Sequence, residues 1–498
     1  MGTRRISRRA LLRGGAAAGL ATATGATAET LASLGRRAGA TAEGPNVVVI
    51  MIDSVRPDHV GAYAGSAARS RTPSIDAFAA QSLRFTHARH ESYPTVPVRR
   101  SLMTGKRVFP FRGWRPVKGL PPQPGWEGIG RRERLFTDLL AARGYRTGYV
   151  TDNPHILRRS FDGFRPRFDE MGSVRGQIPF RSAPRRRVSA AELRRYLPPE
   201  REPRDVDAGR IRQYVAANRP GRPEDRHLAA RVFQRGIDFL ARANLAGTPF
   251  ALVLDSFDVH EPWDPPDSYV RRFTDLDVAR YKPIQPFATP GVRIDLLSKR
   301  TFDLAKALYA AELQFVDAWV GRFLDELDTL GLADDTLVFV LSDHGVQLGE
   351  RGVIGKSSYR VHGELIEMPF MIRDPAGRAA GETTAYHASA HDIAATALAA
   401  AGVEVPRAMD GVDLGPLLAG RRPRQARDVW TSGWNVRLMA GDERWLLIAD
   451  NQLRDVRLYD TRSDPRELRD VAGSHPQQVR RLKRQILLEA GGRPLPRH

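Results

Sequence analysis

Acidic and imidazole side chains follow two apolar, strand-like runs of this 498-residue sequence. Asp53 comes directly after VVVIMI, and the pair Asp343 and His344 follows TLVFVLS. Two carboxylates and one imidazole are a hard, mainly oxygen donor set that suits a divalent metal ion. Each residue by itself could be a hydrogen-bonded polar residue at a strand end, but the three together favour a metal site.

The elements that must position these residues are buried strands of a parallel sheet. Continuous β-branched runs predict strands that are covered on both faces. A third run, PFALVLDSFDVHEPW, also ends in polar residues, and MPFMIRDP is a fourth strand-like run. Because ligands bind beyond the carboxyl ends of strands in open α/β sheets, the first three runs converge on one site.

Helical patterns lie between these runs. They cover IDAFAAQSL after Pro73 and Ser74, then residues 136–142, 229–245 and 302–330, while residues 95–105 are expected to form a loop that leads into a helix. We therefore predict an α/β fold, a three-layer sandwich with a large, mostly parallel central sheet and helices on both faces. Residues 424–498 combine short alternating runs with a final amphipathic helix, which predicts a small C-terminal antiparallel sheet plus helix.

The predicted catalytic domain, residues 43–423, contains one segment of different composition. Residues from about 156 to 230 are dense in Arg and Pro, as in RSAPRRRVSAAELRRYLPPEREPR. We expect an irregular insertion there, with one or two short helices near the surface. It could shape substrate access, although we favour a solvated excursion.

The composition excludes several kinds of chemistry. The chain contains no cysteine, so it has no disulfides, thiolate metal sites or cysteine nucleophiles. Its formal net charge is +20, yet the basic residues are scattered and accompany no nucleic-acid-binding signature. We therefore expect a small anionic substrate as partner, and no nucleic acid.

The first 42 residues are predicted to be an export signal and linker. TRRISRRALLR is followed by the small-residue run GGAAAGLATATGATA, which gives a basic, an apolar and a cleavable region in order. Ser7-Arg8-Arg9 before Ala10-Leu11-Leu12 resembles a twin-arginine signal. We expect cleavage after Ala28 or Ala42, the twin-arginine export machinery as a partner, a periplasmic, cell-surface or secreted location, and no stable membrane span. A disordered basic tail is the alternative.

The segment TVPVRRSLMTGKR, residues 95–107, resembles the signature of the sulfatase family in the alkaline phosphatase superfamily. Pro97, Arg99 and Thr104-Gly105 fall into register, and Thr95 occupies the position of the nucleophile. Four more segments resemble family motifs in the family's order: IDSVRPDHVGAYAG, DSFDVHEPWDPP, LSDHGVQLGERGVIGKSSYRVHGELIEMPFMIR and LYDTRSDPRELRDVA. The resemblance covers roughly residues 45–475 and implies an alkaline phosphatase-like fold.

The resemblance implies a role for each matching residue. Asp53, Asp343 and His344 would ligate one divalent metal ion, with Thr95 on the metal as the nucleophile. Arg99 would hold the nucleophile's surroundings and pair with the transferring group. Lys356 and His260 would bind the charged oxygens of the substrate, and His260 is also a candidate general base.

Three departures from the family pattern change the expected chemistry. Thr95 carries a β-methyl group, so it cannot become the formylglycine aldehyde of sulfatases, and no formylglycine is expected. Ser92 is the other candidate nucleophile, but Thr95 alone keeps Pro97 and Arg99 at the family's spacing. Ser54 replaces a second Asp, so one carboxylate ligand is lost unless Ser54 coordinates through its hydroxyl. With fewer carboxylates and one imidazole, Mn²⁺ or Zn²⁺ becomes competitive with Ca²⁺.

The third departure concerns a basic segment that contains Gly-Lys-Trp-His in the family. It is not recognisable here, and TDNPHIL stands near its place, so His155 is a candidate for substrate binding or an ordinary loop histidine.

We predict an exported, metal-dependent hydrolase of phosphate monoesters, phosphate diesters or phosphonates. The alternatives are a sulfuric ester hydrolase, a phosphotransferase and a non-catalytic binding protein.

Overall fold

The computed structural model describes residues 44–158, 161, 163–177, 186–288 and 290–496. The predicted export signal therefore lies outside the described residues. Numbered along the chain, the strands are β1 (Asn46–Ile52), β2 (Leu83–Phe85), β3 (Ser92–Tyr93), β4 (Arg146–Thr151), β5 (Glu170–Ser173), β6 (Phe250–Ser256), β7 (Gly291–Arg293), β8 (Thr336–Ser342), β9 (Gln347–Leu348), β10 (Val353–Gly355), β11 (Phe370–Arg373), β12 (Thr383–Thr384), β13 (Trp430–Trp434), β14 (Arg437–Gly441), β15 (Trp445–Asp450) and β16 (Arg457–Asp460).

The helices of the described residues are numbered in the same way. They are α1 (Gly61–Ala64), α2 (Pro73–Ala79), α3 (Thr95–Thr104), α4 (Phe136–Ala142), α5 (Ala190–Arg194), α6 (Ala208–Ala217), α7 (Leu228–Ala246), α8 (Asp267–Val270), α9 (Lys299–Thr329), α10 (Gly363–Ile366), α11 (His391–Ala400), α12 (Gly415–Leu418) and α13 (Pro476–Glu489). None of them is long and apolar enough to cross a bilayer.

The central sheet has the strand order β12-β2-β11-β8-β1-β6-β4-β5 among the described residues. β5, β4, β6, β1 and β8 pair in parallel, and β11 pairs antiparallel with both β8 and β2. The predicted mostly parallel sheet is confirmed. Because β11 runs in the opposite direction, Asp374 at its end lies at the edge away from the candidate site.

Alternate residues of the central strands face two different apolar cores. Val48, Ile50 and Ile52 of β1 pack with α7 and α9, whereas Val47 and Val49 pack with α3, α4 and α11. Side chains of a strand alternate between its faces, so a strand that is apolar throughout must be covered on both. The long runs predicted as buried strands therefore form the middle layer of the expected sandwich.

One or two short helices were expected in the Arg- and Pro-rich segment, and its described residues contain α5 and α6. It also supplies the edge strand β5 and apolar side chains such as Ile211 and Tyr214, which are buried in the core with α7. The segment is thus partly packed against the domain and is not only a solvated excursion. The many charged residues of this segment made its few apolar residues hard to recognise in the sequence as core residues.

The C-terminal sheet has the order β16-β15-β14-β13-β3. Its pairings are antiparallel except the last, in which the N-terminal strand β3 pairs in parallel with β13. The helix α13 packs against this sheet through Leu482 and Ile486. Since β3 directly precedes α3, the C-terminal sheet contributes to the position of the segment that contains Thr95.

Candidate active site

Three adjacent parallel strands end at the same edge of the central sheet. β1 lies between β8 and β6, and Ile52 is in register with Ser342 on one side and Ser256 on the other. Asp53 directly follows Ile52, and Asp343 directly follows Ser342. The register of the two strands therefore brings the two carboxylates together. The sequence prediction that these strand ends converge is confirmed.

Asp53, Asp343 and His344 form a cluster whose ligand atoms all lie within 4.8 Å of one another. The Nε2 atom of His344 is 3.6 Å from Asp53 Oδ1 and 3.7 Å from Asp343 Oδ2. Its Nδ1–H donates to the carbonyl oxygen of Gly345 at 2.9 Å, which leaves Nε2 free to act as a ligand. All three side chains are buried, so the donor set fits a divalent ion.

Electrostatics inside the cluster also suit a bound cation. Burial and the neighbouring Asp343 carboxylate raise the pKa of Asp53 well above its usual value. Although burial opposes ionisation, His344 and Arg99 hold the pKa of Asp343 below its usual value. Burial lowers the pKa of His344 to about 4, so its imidazole is neutral at pH 7 and can donate a lone pair. A divalent cation would relieve the repulsion between the two carboxylates.

Arg99 lies behind the cluster and contacts three carboxylates. It pairs with Asp255 at 2.7 Å, with Asp53 at 3.2 Å and with Asp343, and it is only 2% exposed. Burial opposes its charge, but these three carboxylates raise the pKa of Arg99. Arg99 is not among the residues that line the pocket described below, so here it orients carboxylates. Its direct contact with a substrate stays a prediction.

Thr95 is the first residue of α3, and its side chain reaches the metal cluster. Its Oγ1 atom lies 3.3 Å from His344 Nε2. A loop that leads into a helix was expected over residues 95–105; the helix is present, but the loop is wrong, because the helix already begins at Thr95 after Pro94. A proline in the first helical turn, here Pro97, costs no backbone hydrogen bond, which explains why the segment can be helical from its start. The positive end of the helix dipole then faces any anionic group near Thr95.

Ser92, the other candidate nucleophile, is engaged elsewhere. It belongs to β3, and its Oγ donates to Glu91 Oε1 at 2.6 Å. Glu91 in turn accepts hydrogen bonds from the backbone N–H groups of Val108 and Phe109. Ser92 therefore stabilises the buried Glu91 carboxylate, which holds the loop that follows α3, while Thr95 faces the cluster.

Lys356 reaches the site from the loop after β10. Its Nζ donates to Glu261 Oε2 at 2.7 Å and lies 3.5 Å from Ser54 Oγ. The Ser54 hydroxyl itself donates to Asp53 Oδ1 at 2.7 Å, and the Ser54 N–H donates to Asp343 Oδ1 at 3.1 Å. Ser54 thus binds both metal-site carboxylates, and its coordination of the ion stays a prediction.

A pocket of about 480 Å³ opens onto these residues and is lined by Thr95, His155, His260, His344 and Lys356. His260 stacks on Phe257 with ring centroids 4.1 Å apart, and its Nδ1–H donates to the Glu261 carbonyl oxygen at 2.6 Å. Burial and the Lys356 charge keep the pKa of His260 well below its usual value, so this ring is neutral at pH 7.

His155 lies in the same pocket, with its ring edge-on to Trp126 at 4.9 Å. Its buried Nδ1 atom has no hydrogen-bond partner among the described residues. Burial and the Arg158 charge lower the pKa of His155 well below the usual value, so the His155 ring is also neutral at pH 7. The structure therefore brings His155 to the site, and its role in substrate binding stays a prediction.

Sequence reasoning missed two acidic residues of the site, Asp255 and Glu261. Asp255 lies inside the otherwise apolar strand β6, where it receives hydrogen bonds from Arg99 and from the hydroxyls of Tyr149 and Thr151. An acid within a fully buried strand must be paired, and that rule could have identified it. No local signal marked Glu261, because only the tertiary structure places it beside Lys356.

The chain is similar to families and proteins that are already known. The Sulfatase family model matches residues 45–403, and the model of the N-sulphoglucosamine sulphohydrolase C-terminal region matches residues 349–489. The chain is 26% identical to the multifunctional alkaline phosphatase superfamily protein PehA of Trinickia caryophylli, over 86% of this chain and 91% of that protein. It is 23% identical to the arylsulfatase of Clostridium perfringens, over 90% and 95% of the two chains.

The fold also matches solved structures. The phosphonate monoester hydrolase SpPMH of Silicibacter pomeroyi superposes with a TM-score of 0.67 at 20% identity, over 89% of this chain and 95% of that chain. This likeness confirms the predicted α/β fold. Because the sulfatase family model also matches well over half of the chain, this protein belongs to the sulfatase family and is an ester-bond hydrolase, as the motifs predicted.

Proposed function

We propose that this enzyme hydrolyses phosphate esters or phosphonate esters with Thr95 as its nucleophile. One observation supports this proposal most directly. Thr95 occupies the family's nucleophile position and lines the pocket, and its Oγ1 lies 3.3 Å from His344 Nε2. The chain contains no cysteine that could serve instead. A threonine cannot yield an aldehyde hydrate, so the covalent intermediate must be an ester of the threonine oxygen.

The described residues suggest how this reaction proceeds. Asp53, Asp343 and His344 would hold the ion, which acts as a Lewis acid and lowers the pKa of a nearby hydroxyl when it is bound. Thr95 Oγ attacks phosphorus, a phosphorus–oxygen bond forms to Thr95, and the bond to the leaving alkoxide breaks. The proton that the Thr95 hydroxyl loses passes through solvent to the alkoxide, which leaves as the alcohol. Lys356 stabilises the negative charge that spreads over the transferring oxygens.

Water must then release the phosphoryl or phosphonyl group from Thr95. The neutral His260 donates from Nδ1 to the Glu261 carbonyl oxygen, so its Nε2 atom carries a lone pair and can accept a proton. In this scheme His260 takes the proton from the attacking water while the bond between phosphorus and Thr95 breaks. The proton then passes from His260 to the released Thr95 oxygen, which restores both the hydroxyl and the neutral imidazole.

The test compares four aryl esters: a phosphate monoester, a phosphate diester, a phosphonate and a sulfate. Purified protein is assayed with added Mn²⁺, Zn²⁺ or Ca²⁺. We expect turnover of at least one phosphorus ester and a loss of about 10³-fold or more in kcat for Thr95→Ala, because the nucleophile is removed. Thr95→Ser should keep measurable activity, because it retains the hydroxyl.

Ser92→Ala is the matched control, since it removes a neighbouring hydroxyl that contacts Glu91 and should keep turnover. If the wild-type protein and Thr95→Ala are equally inactive on all four esters, the proposal is wrong. Sulfate ester hydrolysis that depends on Thr95 would instead refute the preference for phosphorus esters.

We also propose that the enzyme is exported by the twin-arginine route. The support is the order of basic, apolar and small residues in positions 1–28, which lie outside the described residues. Replacing Arg8 and Arg9 by Lys should retain the protein inside the cells, because the export machinery reads the arginine pair and a charge alone does not suffice. Fractionation of cells that express each form measures this, and export of the Lys–Lys form would contradict the proposal.

A further inference from the structure

The pocket extends beyond the residues assigned to the reaction. Its volume of about 480 Å³ lies in the range of sites that bind ligands of several rings. Besides Thr95 and its neighbours, the pocket is lined by Trp126, Arg158, Arg210 and Trp434. None of these four residues forms a hydrogen bond or an ion pair with Asp53, Asp343 or His344. They are therefore available to bind the alcohol portion of a substrate.

Aromatic rings form part of the pocket wall. Trp126 is 4% exposed and Trp434 is 3% exposed, and Trp434 lies 5.7 Å from the His344 ring between ring centroids. Flat apolar faces of this kind bind aromatic rings and the apolar faces of sugar rings. The wall therefore offers flat faces against which a ring of the substrate can pack.

Two arginines that line this pocket lack strong carboxylate partners. Arg158 forms no ion pair within the described part of the chain, and its buried Nε has no acceptor there, although its Nη1 donates to the Gly119 carbonyl oxygen. Arg210 lies on α6, in the Arg- and Pro-rich segment, and its nearest carboxylate is Asp207 at 3.6 Å. Burial and the Arg210 charge lower the pKa of Arg158, so the two guanidinium groups repel each other.

The charge of the pocket wall is therefore unbalanced. Within the described residues, Glu261 is the one carboxylate among the lining residues, and it is bound to Lys356 at 2.7 Å. Arg158 has no counter-ion among the described residues and Arg210 has only Asp207 at 3.6 Å, so both guanidinium groups can still bind an anionic group of a ligand. The reacting group would lie at Thr95, so this second positive region calls for a second anionic group.

We infer that the natural substrate is an ester of a ring-containing alcohol that carries a second anionic group, which Arg158 and Arg210 bind. This inference rests on the proposed function, since it assigns the alcohol side of the same reaction. A carboxylate, a sulfate or a phosphate on the ring would fit, because each supplies acceptors for guanidinium N–H groups. The Arg- and Pro-rich segment would then act in substrate selection through Arg210.

The test compares two aryl esters that differ in one charge. A 4-nitrophenyl ester of the class that the enzyme hydrolyses is assayed beside the same ester with a carboxylate at ring position 3. We expect the wild-type protein to favour the carboxylated ester about tenfold in kcat/KM, as one charge-assisted hydrogen bond would give. Arg158→Gln and Arg210→Gln should each reduce this ratio severalfold, mainly through KM, and added salt should reduce it further.

Arg204→Gln is the matched control, because Arg204 belongs to the same segment, is 87% exposed and does not line the pocket. It should leave the ratio unchanged. Arg210→Gln keeps the test valid if Arg158→Gln fails to fold, since Arg210 is 53% exposed. An equal ratio in the wild-type protein and both pocket variants would overturn the inference.

Binding measurements separate this inference from the proposed reaction. Calorimetry with benzenesulfonate and benzene-1,3-disulfonate, which are not turned over, should show about tenfold tighter binding of the disulfonate by the wild-type protein alone. If no ester is hydrolysed but this preference appears and depends on Arg158 and Arg210, the proposed function fails and the inference stands. If esters are hydrolysed without any preference for the second charge, the inference fails and the proposed function stands.

Discussion

At the scale of single residues, the site is a network of charges that balance one another. Arg99 pairs with Asp53, Asp255 and Asp343 from inside the protein and offsets one of their three charges. Lys356 is neutralised by Glu261 at the edge of the pocket. Burying one partner of such a pair without the other costs several kcal/mol, so each acid depends on its cation and the reverse. The divalent ion would add the positive charge that the paired carboxylates still lack.

Binding of a divalent ion should stabilise the folded protein through this cluster. An ion that binds only the folded state at about 100 times its Kd contributes about 2.7 kcal/mol, which corresponds to a rise of several degrees in Tm. Asp343→Asn should abolish the rise, because it removes a carboxylate ligand and leaves Arg99 without one partner. Thermal unfolding with added Mn²⁺, Zn²⁺ or Ca²⁺, and after chelation, measures the effect.

Asp374→Asn provides the control for this experiment. Asp374 is also a buried acid directly after a strand, but it follows the antiparallel strand β11 and pairs with Arg378. Its variant should keep the metal-dependent rise in Tm, whatever its own stability. A rise that survives in Asp343→Asn would show that the ion binds elsewhere.

At the scale of elements, strand direction decides which acids meet. β1, β6 and β8 run in parallel and are neighbours, so their carboxyl ends form one edge. β11 has the same apolar, strand-like sequence but points the other way. The helix α3 then closes the site, because its first residue is Thr95 and its fifth is Arg99, one turn apart on the same side.

The C-terminal segment is joined by a buried carboxylate to the segment of residues 351–363, which follows Asp343 and His344 in the chain. Glu467 accepts a hydrogen bond from His362 Nδ1 at 2.6 Å and from the Gly363 N–H at 3.1 Å, and it lies 3.5 Å from Arg351. Glu467→Gln keeps the size of the side chain but removes its charge. We expect it to lower the free energy of unfolding by about 2 kcal/mol, because the interactions are charge-assisted and buried.

Urea denaturation checks this prediction against Glu443→Gln, an exposed acid in the loop between β14 and β15. The control should unfold like the wild-type protein. Equal midpoints for both variants would contradict the assigned role of Glu467. Glu467→Gln should change kcat/KM on the hydrolysed aryl ester less than it changes the free energy of unfolding, since Glu467 does not line the pocket.

At the scale of the whole molecule, several histidines are buried as neutral groups. His59 is an example, since it is 2% exposed, lies edge-on to Tyr309 at 4.7 Å, and its Nδ1 is 2.8 Å from Ser70 Oγ. Burial lowers its pKa to about 3. Between pH 3 and 6.5 the unfolded chain binds a proton that the folded protein does not, so His59 makes stability fall as pH decreases below about 6.5.

The wild-type protein should therefore lose about 1 kcal/mol more stability than His59→Gln between pH 7.5 and pH 5.5. Buried acids such as Asp317, whose burial raises its pKa to about 7, have the opposite pH dependence, and the comparison with the variant cancels their contribution. Denaturation curves at the two pH values measure the difference. His475→Gln, at a partly exposed imidazole, should behave like the wild-type protein, and a pH dependence unchanged in His59→Gln would contradict the prediction.

Much of this protein could be predicted from local sequence. Apolar runs fix strands because a buried strand needs apolar side chains on both faces, and the residues after them, Asp53 and Asp343, were predicted for that reason. The motif around Thr95 and Arg99 was recognisable from short-range spacing. The helical start at Thr95 was missed, because Pro94 and Pro97 together indicate a loop. Prolines are also compatible with the first turn of a helix, and the structure has that turn here.

The sequence by itself determined the fold class and the family, since these depend on periodicity and on motifs of residues close together in the chain. It also predicted the candidate metal ligands Asp53, Asp343 and His344, because they follow apolar, strand-like runs. Only the tertiary structure decided the partners of the charges: Asp255 on Arg99, Glu261 on Lys356, and Arg158 with Arg210 in one pocket. These pairs join residues 52 to 156 positions apart, and no local pattern encodes such contacts. They arise from strand order, strand direction and the packing of the Arg- and Pro-rich segment against the core.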